Sequence, residues 1–466
     1  MKRVYYFLPI LFSSFYLISF CSCSRANASV YYVSFTDGDN SKNGLSPATS
    51  WKTISKVNSR AFSPGDSILF KCGDTWRTES IEVSQSGTSS AYITYGSYGS
   101  GAKPRILGSL KAITWTATTK ANVWQSATSI PINPWLVITA SGTNCNIFFE
   151  EIDGSVNWGY HEAYTSGFTN LNENYEWTWN GSILYVYSTS DPDIRFNSVE
   201  APQIQYAAMN DWQSYIAFDN LEMAYLGGFG IRDSYPPTTI SGFRVTNCHI
   251  HHIGTKGSNV AYGTYTYHSD AYYANNEIND CGRRSISIEP VNFSTSCTVQ
   301  NILIENNYLH DGWHTTGIDL NTSGPHIVQN VVIRNNIIAG NPEIDISARD
   351  NCTSNSMFIA NQGTGNAVTQ NIWIYNNIIT YIQGKGITLE FVKNAYVWNN
   401  TFYGWNPTLS TFNAMVYVTD DLDVADAGYT EVFNNIFYNN SNTSFNTELY
   451  CIKVDADWYK NIPVSN

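Results

Sequence analysis

The sequence predicts an all-β fold, a right-handed parallel β-helix solenoid with an N-terminal cap and a β-rich insertion. Three observations lead to this prediction. A short pattern built around paired asparagines recurs along the chain, residues that favour strands dominate, and charged residues make up only 14% of the 466 residues. Long amphipathic helices need more charge than this. A unit as short as the repeat cannot bury its own apolar face, so its copies must stack on one another.

The first residues have the pattern of a secretory signal peptide. Lys2 and Arg3 precede an apolar run over residues 4–20, and a small-residue cleavage site ends at Ala28. We expect residues 1–28 to be removed and the mature protein to be exported, whether periplasmic, secreted or associated with an outer membrane. Lipid attachment at Cys23 is an alternative that Phe20 disfavours. No integral membrane segment is expected after cleavage.

The charge of the mature chain limits its partners. Loss of Lys2, Arg3 and Arg25 leaves 25 − 3 = 22 basic and 38 acidic residues, a formal net charge of −16. This balance argues against nucleic acid as a partner. Polyanionic glycans are not excluded, because a local basic cluster acts over a Debye length of about 10 Å. The seven remaining cysteines lack the spacing of a zinc site, and we expect most of them to be small buried thiols.

Residues 29–109 are predicted to form the N-terminal cap and the first coils. Two phrases stand out there, Trp51-Lys-Thr-Ile and Pro64-Gly-Asp-Ser-Ile-Leu-Phe. With the asparagine repeat, this opening resembles secreted bacterial carbohydrate-active proteins of the pectate-lyase-like β-helix superfamily. The resemblance implies that a short helix near Trp51 covers the open end of the solenoid. It does not select the chemistry, because the superfamily includes lyases, hydrolases, epimerases, esterases and adhesins.

Residues 110–202 are predicted to be the β-rich insertion. The asparagine repeat is missing there and six tryptophans cluster, while the segment 179–187 has the pattern of a hairpin. Two interpretations apply to the tryptophans. They form the insertion's own aromatic core, which we favour, or they stack on sugars.

Residues 203–440 are predicted to be the coils that carry the active face, and residues 441–466 a C-terminal cap. Each repeat reads as a short alternating strand, an asparagine pair at a corner and a second short strand; the clearest pairs are 306–307, 335–336, 376–377 and 399–400. Asparagine tolerates left-handed backbone angles, and stacked amides can hydrogen-bond along a ladder. The 23 residues from Asn377 to Asn400 should form one minimal coil.

Side-chain alternation predicts which residues leave the solenoid on one face. With isoleucines inward, one outward column is predicted to contain Arg232, Ser287, Asp319, Asp345 and Thr388, and a neighbouring column Glu289, Asn321, Ser347 and Glu390. Asp319 and Asp345 would then lie on adjacent coils, about 4.8 Å apart. Repulsion between two such carboxylates raises the proton affinity of one of them. The predicted catalytic residues are therefore Asp319, Asp345, Glu289 and Glu390, the acid and the base or nucleophile that glycoside hydrolysis needs.

Loops before these strands supply predicted substrate contacts. Arg284 and Arg349 could hold a carboxylate or a sulfate through two hydrogen bonds each. Trp313 could stack on a sugar, and His314 could contact a hydroxyl or carry a proton. For each single residue, a solvated or purely structural role is the competing interpretation.

The function predicted first is that of a polysaccharide-degrading glycoside hydrolase without a metal site or cofactor. The first alternative is a Ca²⁺-dependent polysaccharide lyase, or a C5-epimerase, acting on a uronic-acid glycan. Its base would be Arg284, Arg349, Lys385 or His314, and the aspartates would hold Ca²⁺. The second alternative is a glycan-binding solenoid without catalysis. The sugar, its linkage and the oligomeric state stay open.

Overall fold

A computed structural model of the chain describes residues 28–137, 145–234, 239–256, 260–290, 296–313, 315–340, 355–361, 366–382, 384–404, 413–419, 429–438 and 449–455. Three long sheets, here named A, B and C, form the body of the molecule. From Ser67 onward the chain visits them in the order A, B, C, and each strand pairs in parallel with the strand of the next coil. The predicted parallel β-helix is confirmed.

Strand bounds follow the coils. Among the described residues, the strands of sheet A are Val30–Val33, Ser67–Lys71, Ile93–Tyr98, Ile216–Asp219, Ile240–Thr246, His268–Ala274, Thr298–Glu305, Ile327–Arg334, Val368–Tyr375, Val392–Trp398 and Thr430–Phe433. Those of sheet B are Thr75–Arg77, Arg105–Leu107, Glu222–Leu226, His249–Ile253, Glu277–Cys281, Tyr308–His310, Ile337–Ala339, Ile378–Thr380, Thr401–Tyr403 and Ile436–Tyr438. Those of sheet C are Ile81–Val83, Tyr206–Asn210, Phe229–Asp233, Tyr262–Thr266, Arg284–Ile288, Thr315–Thr322, Asn355–Asn361, Ile387–Glu390, Asn413–Thr419 and Leu449–Asp455.

The first coils carry the cap that the resemblance implied. A 3₁₀ turn, Pro47–Thr49, leads to a short α-helix, Ile54–Asn58, whose Ile54 and Val57 are buried in the solenoid core. Trp51 stacks on Tyr31 with the ring centroids 5.1 Å apart. The helix and the indole thus cover apolar side chains that an open end would expose.

The asparagine pairs form a ladder at the corner between sheets A and B. The first asparagine of each pair has left-handed backbone angles, with φ of 57° at Asn306 and 56° at Asn376. The second is buried and bonds to its counterpart in the next coil: Asn377 donates from Nδ2 to Oδ1 of Asn400 at 2.9 Å, and its backbone N–H donates to the same oxygen at 3.0 Å. The predicted ladder and the minimal coil are confirmed.

The described residues between 109 and 202 form two smaller sheets beside the solenoid. One contains Ser109–Ala112, Phe148–Glu151, Val156–Trp158 and Phe196–Pro202, and the other Trp115–Ala117, Val123–Ser129, Tyr160–His161, Glu176–Trp179 and Ile183–Tyr187. A 3₁₀ turn, Pro134–Leu136, and a short helix, Pro192–Arg195, lie between these strands. Trp115 and Trp177 are buried in a core of their own. The aromatic-core interpretation is confirmed for these two indoles, and the 179–187 hairpin is antiparallel as expected.

The insertion packs on the solenoid through a second aromatic group. Phe148 and Trp158 of the insertion contact Tyr225 and Trp313 of the coils, and the Trp158 and Trp313 ring centroids are 6.3 Å apart. This contact places the insertion beside sheet B and the corner that leads to sheet C.

The far end differs from the prediction. Leu449–Asp455 pairs in parallel with Asn413–Thr419, so sheet C continues past residue 440 into the segment predicted as a C-terminal cap. The sequence did not predict the strand Leu449–Asp455 because the segment itself contains no asparagine pair. Residues 456–466 lie outside the described part of the chain.

Two further expectations concern cysteines and membranes. Of the cysteines that the structure describes, Cys145, Cys248, Cys281 and Cys297 are buried free thiols, as expected. In the same part of the chain, no helix is both long and apolar enough to cross a membrane.

Candidate active site

The register of sheet C corrects the predicted column of polar residues. The observed outward column contains Met209, Arg232, Tyr265, Ser287, Asp319, Phe358, Thr388 and Tyr417. Arg232, Ser287, Asp319 and Thr388 share it as predicted.

The predicted neighbour of Asp319 is wrong. Asp319 pairs with Phe358 of the strand Asn355–Asn361, and Ala360 stands where Ser347 was expected. The sequence around Asp345 alternates isoleucine with polar residues, which is why it was predicted to be the next strand. The strand that pairs with that of Asp319 is instead Asn355–Asn361, whose Met357 and Ile359 are buried in the core. Asp345 itself lies outside the described residues. The observed column therefore gives no support for a pair of aspartates on adjacent coils, and a role for Asp345 stays a prediction.

A different charged group forms around Asp319. Its carboxyl Oδ2 is 2.9 Å from Nε of Arg284, which opens the preceding strand of the same sheet. Nη1 of the same guanidinium contacts Oε1 of Glu289, an oxygen that also accepts a hydrogen bond of 2.5 Å from Ser287. One arginine thus holds two carboxylates close to each other on the outer side of sheet C. We name Arg284, Glu289 and Asp319 the charged centre.

Asp319 is the unusual member of the charged centre. Its side chain is fully buried, and neither of its carboxyl oxygens receives a hydrogen bond from the described residues, because the contact with Arg284 has ion-pair distance without hydrogen-bond geometry. Burial raises the pKa of Asp319 to about 6, although Arg284 and Arg283 act to lower it. A buried carboxyl without donors costs stability, so its presence calls for an explanation beyond packing.

Aromatic residues border the charged centre on the preceding coils. Phe229 and Tyr262 stack with centroids 5.5 Å apart, and Tyr265 packs against both. The Arg284 guanidinium lies 5.7 Å from the Tyr262 ring. Tyr262 and Tyr265 both lie on the strand Tyr262–Thr266 of sheet C. The small Gly263 between them, which faces Ile278 of the core, was the signal that this segment is a strand.

Two other predicted site residues that the structure describes, Glu390 and Trp313, do not join the charged centre. Glu390 lies on the second strand beyond that of Asp319, and these two strands are about 10 Å apart at ordinary strand spacing. Trp313 is only 6% exposed, with Lys256 4.0 Å from its ring centre, so its indole offers no open surface to a sugar. His314 and Arg349 lie outside the described residues. Within the described chain, no three metal-ligating side chains converge.

Sheet B carries a second group of titratable side chains. Glu222 accepts a hydrogen bond of 2.7 Å from Arg105 and lies 3.4 Å from Nε2 of His251. Burial acts to raise the pKa of Glu222, but His251 and Arg105 outweigh it and lower that pKa to about 2. Burial also lowers the pKa of His251 to about 3. At neutral pH the imidazole is therefore uncharged, and Arg105 is the cation that keeps Glu222 ionised.

Two aspartates stand at consecutive corners beside this group. Asp280 and Asp311 both have left-handed backbone angles, and burial together with the charge of Asp311 raises the pKa of Asp280 to about 6. Asp311 lies 2.6 Å from Nδ1 of His310. This corner thus holds a carboxyl, that of Asp280, whose pKa is raised above the usual value for aspartate.

Comparison with known proteins agrees with this architecture. The solved structure of XylC in complex with xylose superposes with a TM-score of 0.50 over 87% of this chain and 69% of that one, at 14% identity. The fold is that of the right-handed parallel β-helix. The GH136 lacto-N-biosidase from Eubacterium ramulus superposes with a TM-score of 0.43 over 88% of this chain and 68% of that one, also at 14% identity.

Sequence comparison gives a narrower match. The chain is 33% identical over 106 residues to a lacto-N-biosidase from Bifidobacterium longum, a match that covers 22% of this chain and 7% of that relative. No protein-family model matches the chain.

Proposed function

We propose that the protein is a glycoside hydrolase that acts on a polysaccharide or oligosaccharide at the charged centre of sheet C. One observation carries the proposal: the buried Asp319 carboxyl, which lacks hydrogen-bond donors, shares Arg284 with a second carboxylate, Glu289. Two carboxyl groups with unequal surroundings are what glycoside hydrolysis requires.

The surroundings assign a role to each group. Asp319, whose pKa is raised to about 6, keeps a proton at mildly acidic pH and can donate it to the glycosidic oxygen as the general acid. Glu289 accepts hydrogen bonds from Arg284 and Ser287, which favour its ionised form, so it is suited to act as base or nucleophile. Arg284 positions both carboxyls. All three side chains are buried, so a substrate must displace the groups that cover them.

The same geometry disfavours a lyase that uses Arg284 as its base. A base needs a nitrogen that is open to the substrate, and the Arg284 guanidinium instead contacts the carboxyl groups of Glu289 and Asp319. Among the residues considered as lyase bases, Arg349 and His314 lie outside the described residues.

The names of similar proteins support a carbohydrate substrate. The sequence relative is a lacto-N-biosidase, and the structure with a TM-score of 0.50 has xylose bound. Export of the mature chain after cleavage at Ala28, inferred from the basic and apolar leader, would bring the enzyme to extracellular glycans.

The proposal is tested by identifying the product. The mature protein is incubated with neutral and uronic-acid glycans, and new reducing ends and ultraviolet absorbance are read in parallel with and without chelator. Hydrolysis predicts new reducing ends without absorbance, unaffected by chelator. Absorbance of an unsaturated uronate that depends on Ca²⁺ would overturn the proposal in favour of a lyase. Binding without any product would overturn it in favour of a non-catalytic solenoid.

A further inference from the structure

The outer face of sheet A carries a groove that the charged centre does not use. It has a volume of about 690 Å³, and its lining includes Tyr92, Ala217, Asp219, Arg244, Asp270 and Tyr272. We name it the sheet A groove. Its volume is within the range of ordinary ligand sites, roughly 300–1,000 Å³.

Small side chains make the face concave at this point. Thr94, Ala217 and Arg244 stand side by side on three successive strands, followed by Tyr272 on the next one. Threonine and alanine leave a floor close to the sheet, while the arginine and the tyrosine rise beside it. The depression is thus a consequence of the sequence of one outward column.

The charged groups of the groove are only partly satisfied. Arg244 is exposed and lies 4.1 Å from the ring centre of Tyr92, but it forms no ion pair with any residue that the structure describes. Asp219 accepts hydrogen bonds from Thr246 and Asn247 through Oδ1 alone, at 2.6 and 2.7 Å. One guanidinium and one carboxylate oxygen therefore face the groove with hydrogen-bonding capacity to spare.

Asp270 repeats this arrangement on the opposite side of the groove. Its Oδ1 accepts a hydrogen bond of 3.0 Å from Asn301, and no described residue donates to its Oδ2. Further along the same face the pattern changes, because Arg334 bonds to Glu305 at 2.7 Å and to Tyr375 at 3.1 Å. Arg244 lies on the same face of the same sheet, but no described carboxylate or hydroxyl accepts a hydrogen bond from its guanidinium.

We propose that the sheet A groove binds a neutral glycan chain at a second, non-catalytic site. Carboxylate oxygens accept hydrogen bonds from sugar hydroxyls, the guanidinium donates to them, and tyrosine rings offer apolar surface to the sugar ring. One arginine against two aspartates leaves a local charge of −1, which opposes a polyanionic chain. The groove and Asp319 are on different sheets, so this site does not depend on the proposed hydrolase.

Native gel electrophoresis through gels that contain a polysaccharide tests the site. The mature protein is run through galactomannan, mixed-linkage β-glucan and polygalacturonate, beside Arg244→Ala and the matched control Arg334→Ala, an arginine of the same face outside the groove. We expect retardation by at least one neutral polysaccharide. Arg244→Ala should weaken binding about tenfold, the effect of losing a charge-assisted hydrogen bond, and the control should bind like the wild type.

A second variant, Thr94→Trp, fills the floor of the groove without removing a charged group and should weaken binding as well. Equal binding by wild type, Arg244→Ala and Thr94→Trp would overturn the proposal, as would retardation by polygalacturonate alone or by none of the gels. The protein could show retardation that depends on Arg244 and yet release no reducing ends from any glycan. That result would support glycan binding in the sheet A groove and would contradict only the proposed hydrolase activity.

Discussion

Replacement of one buried ladder asparagine should destabilise the solenoid strongly. Asn377 is 1% exposed, and its side chain makes four hydrogen bonds. Oδ1 accepts from the backbone N–H and the amide of Asn336, each at 3.0 Å, and Nδ2 donates to Asn400 at 2.9 Å and to the Ile333 carbonyl at 3.1 Å. At about 1 kcal/mol net for each bond, Asn377→Ala should cost about 4 kcal/mol.

The matched control for this loss is Gln370→Ala. Gln370 lies on the outer surface of the strand Val368–Tyr375, which precedes Asn377, and donates one hydrogen bond of 2.7 Å to Gln329 of the neighbouring strand. Water can replace this bond, so its loss should cost less than about 1 kcal/mol. Urea unfolding followed by circular dichroism compares the two variants with the wild type. The result to compare is the shift in the urea midpoint of each variant relative to the wild type. If the shift for Asn377→Ala is no larger than that for Gln370→Ala, the buried asparagine ladder does not stabilise the stacking of coils.

Three pH-linked predictions follow from the carboxyls. If Asp319 must be protonated to act as the acid, kcat/KM should fall as pH rises through about 6, and a rate that rises instead through that pH would exclude the role. Asp280 also has a raised pKa, so its ionisation lowers the stability of the wild type as pH rises from about 4 to 6. The variant Asp280→Asn cannot ionise, and asparagine suits the left-handed backbone angle of this position. In urea unfolding, the stability of the variant minus that of the wild type should therefore be higher at pH 8 than at pH 4, by up to about 3 kcal/mol. Glu222 has a lowered pKa, so its contribution to folding stability is present above pH 4.5 and is lost as pH falls toward 2. In thermal melts, Glu222→Gln should be less stable than the wild type at pH 7. The same loss of stability at pH 2.5 would contradict this reasoning.

The sequence was sufficient for the fold because the repeat is local. Each asparagine pair specifies a corner, and the 23-residue spacing of Asn377 and Asn400 specifies one coil. Stacking then follows from the need to cover apolar strands. The cap around Trp51 was implied by the resemblance to β-helix proteins, and the aromatic core of the insertion was predicted from the cluster of tryptophans in residues 110–202.

The site was harder to predict because it depends on register across coils. Between Asn336 and Asn377 the chain contains two alternating segments, and the pattern alone does not indicate which one joins sheet C; the structure uses the segment with Phe358. Arg284 was assigned to a loop, although it is the first residue of a strand and reaches both carboxylates. Burial of Trp313 depends on docking of the insertion, a contact between segments far apart in sequence.

The most direct test of the central claim is the turnover of Asp319→Asn on whichever glycan the wild type degrades. Glu390→Gln, a change to another carboxyl on a strand of the same sheet about 10 Å away, is the matched control. With unfolding midpoints and circular dichroism measured for both variants, we expect Asp319→Asn to fold and bind glycan while turning it over at least about a hundredfold more slowly, and Glu390→Gln to keep most of its activity. Turnover by a folded Asp319→Asn at the rate of the wild type would contradict the account.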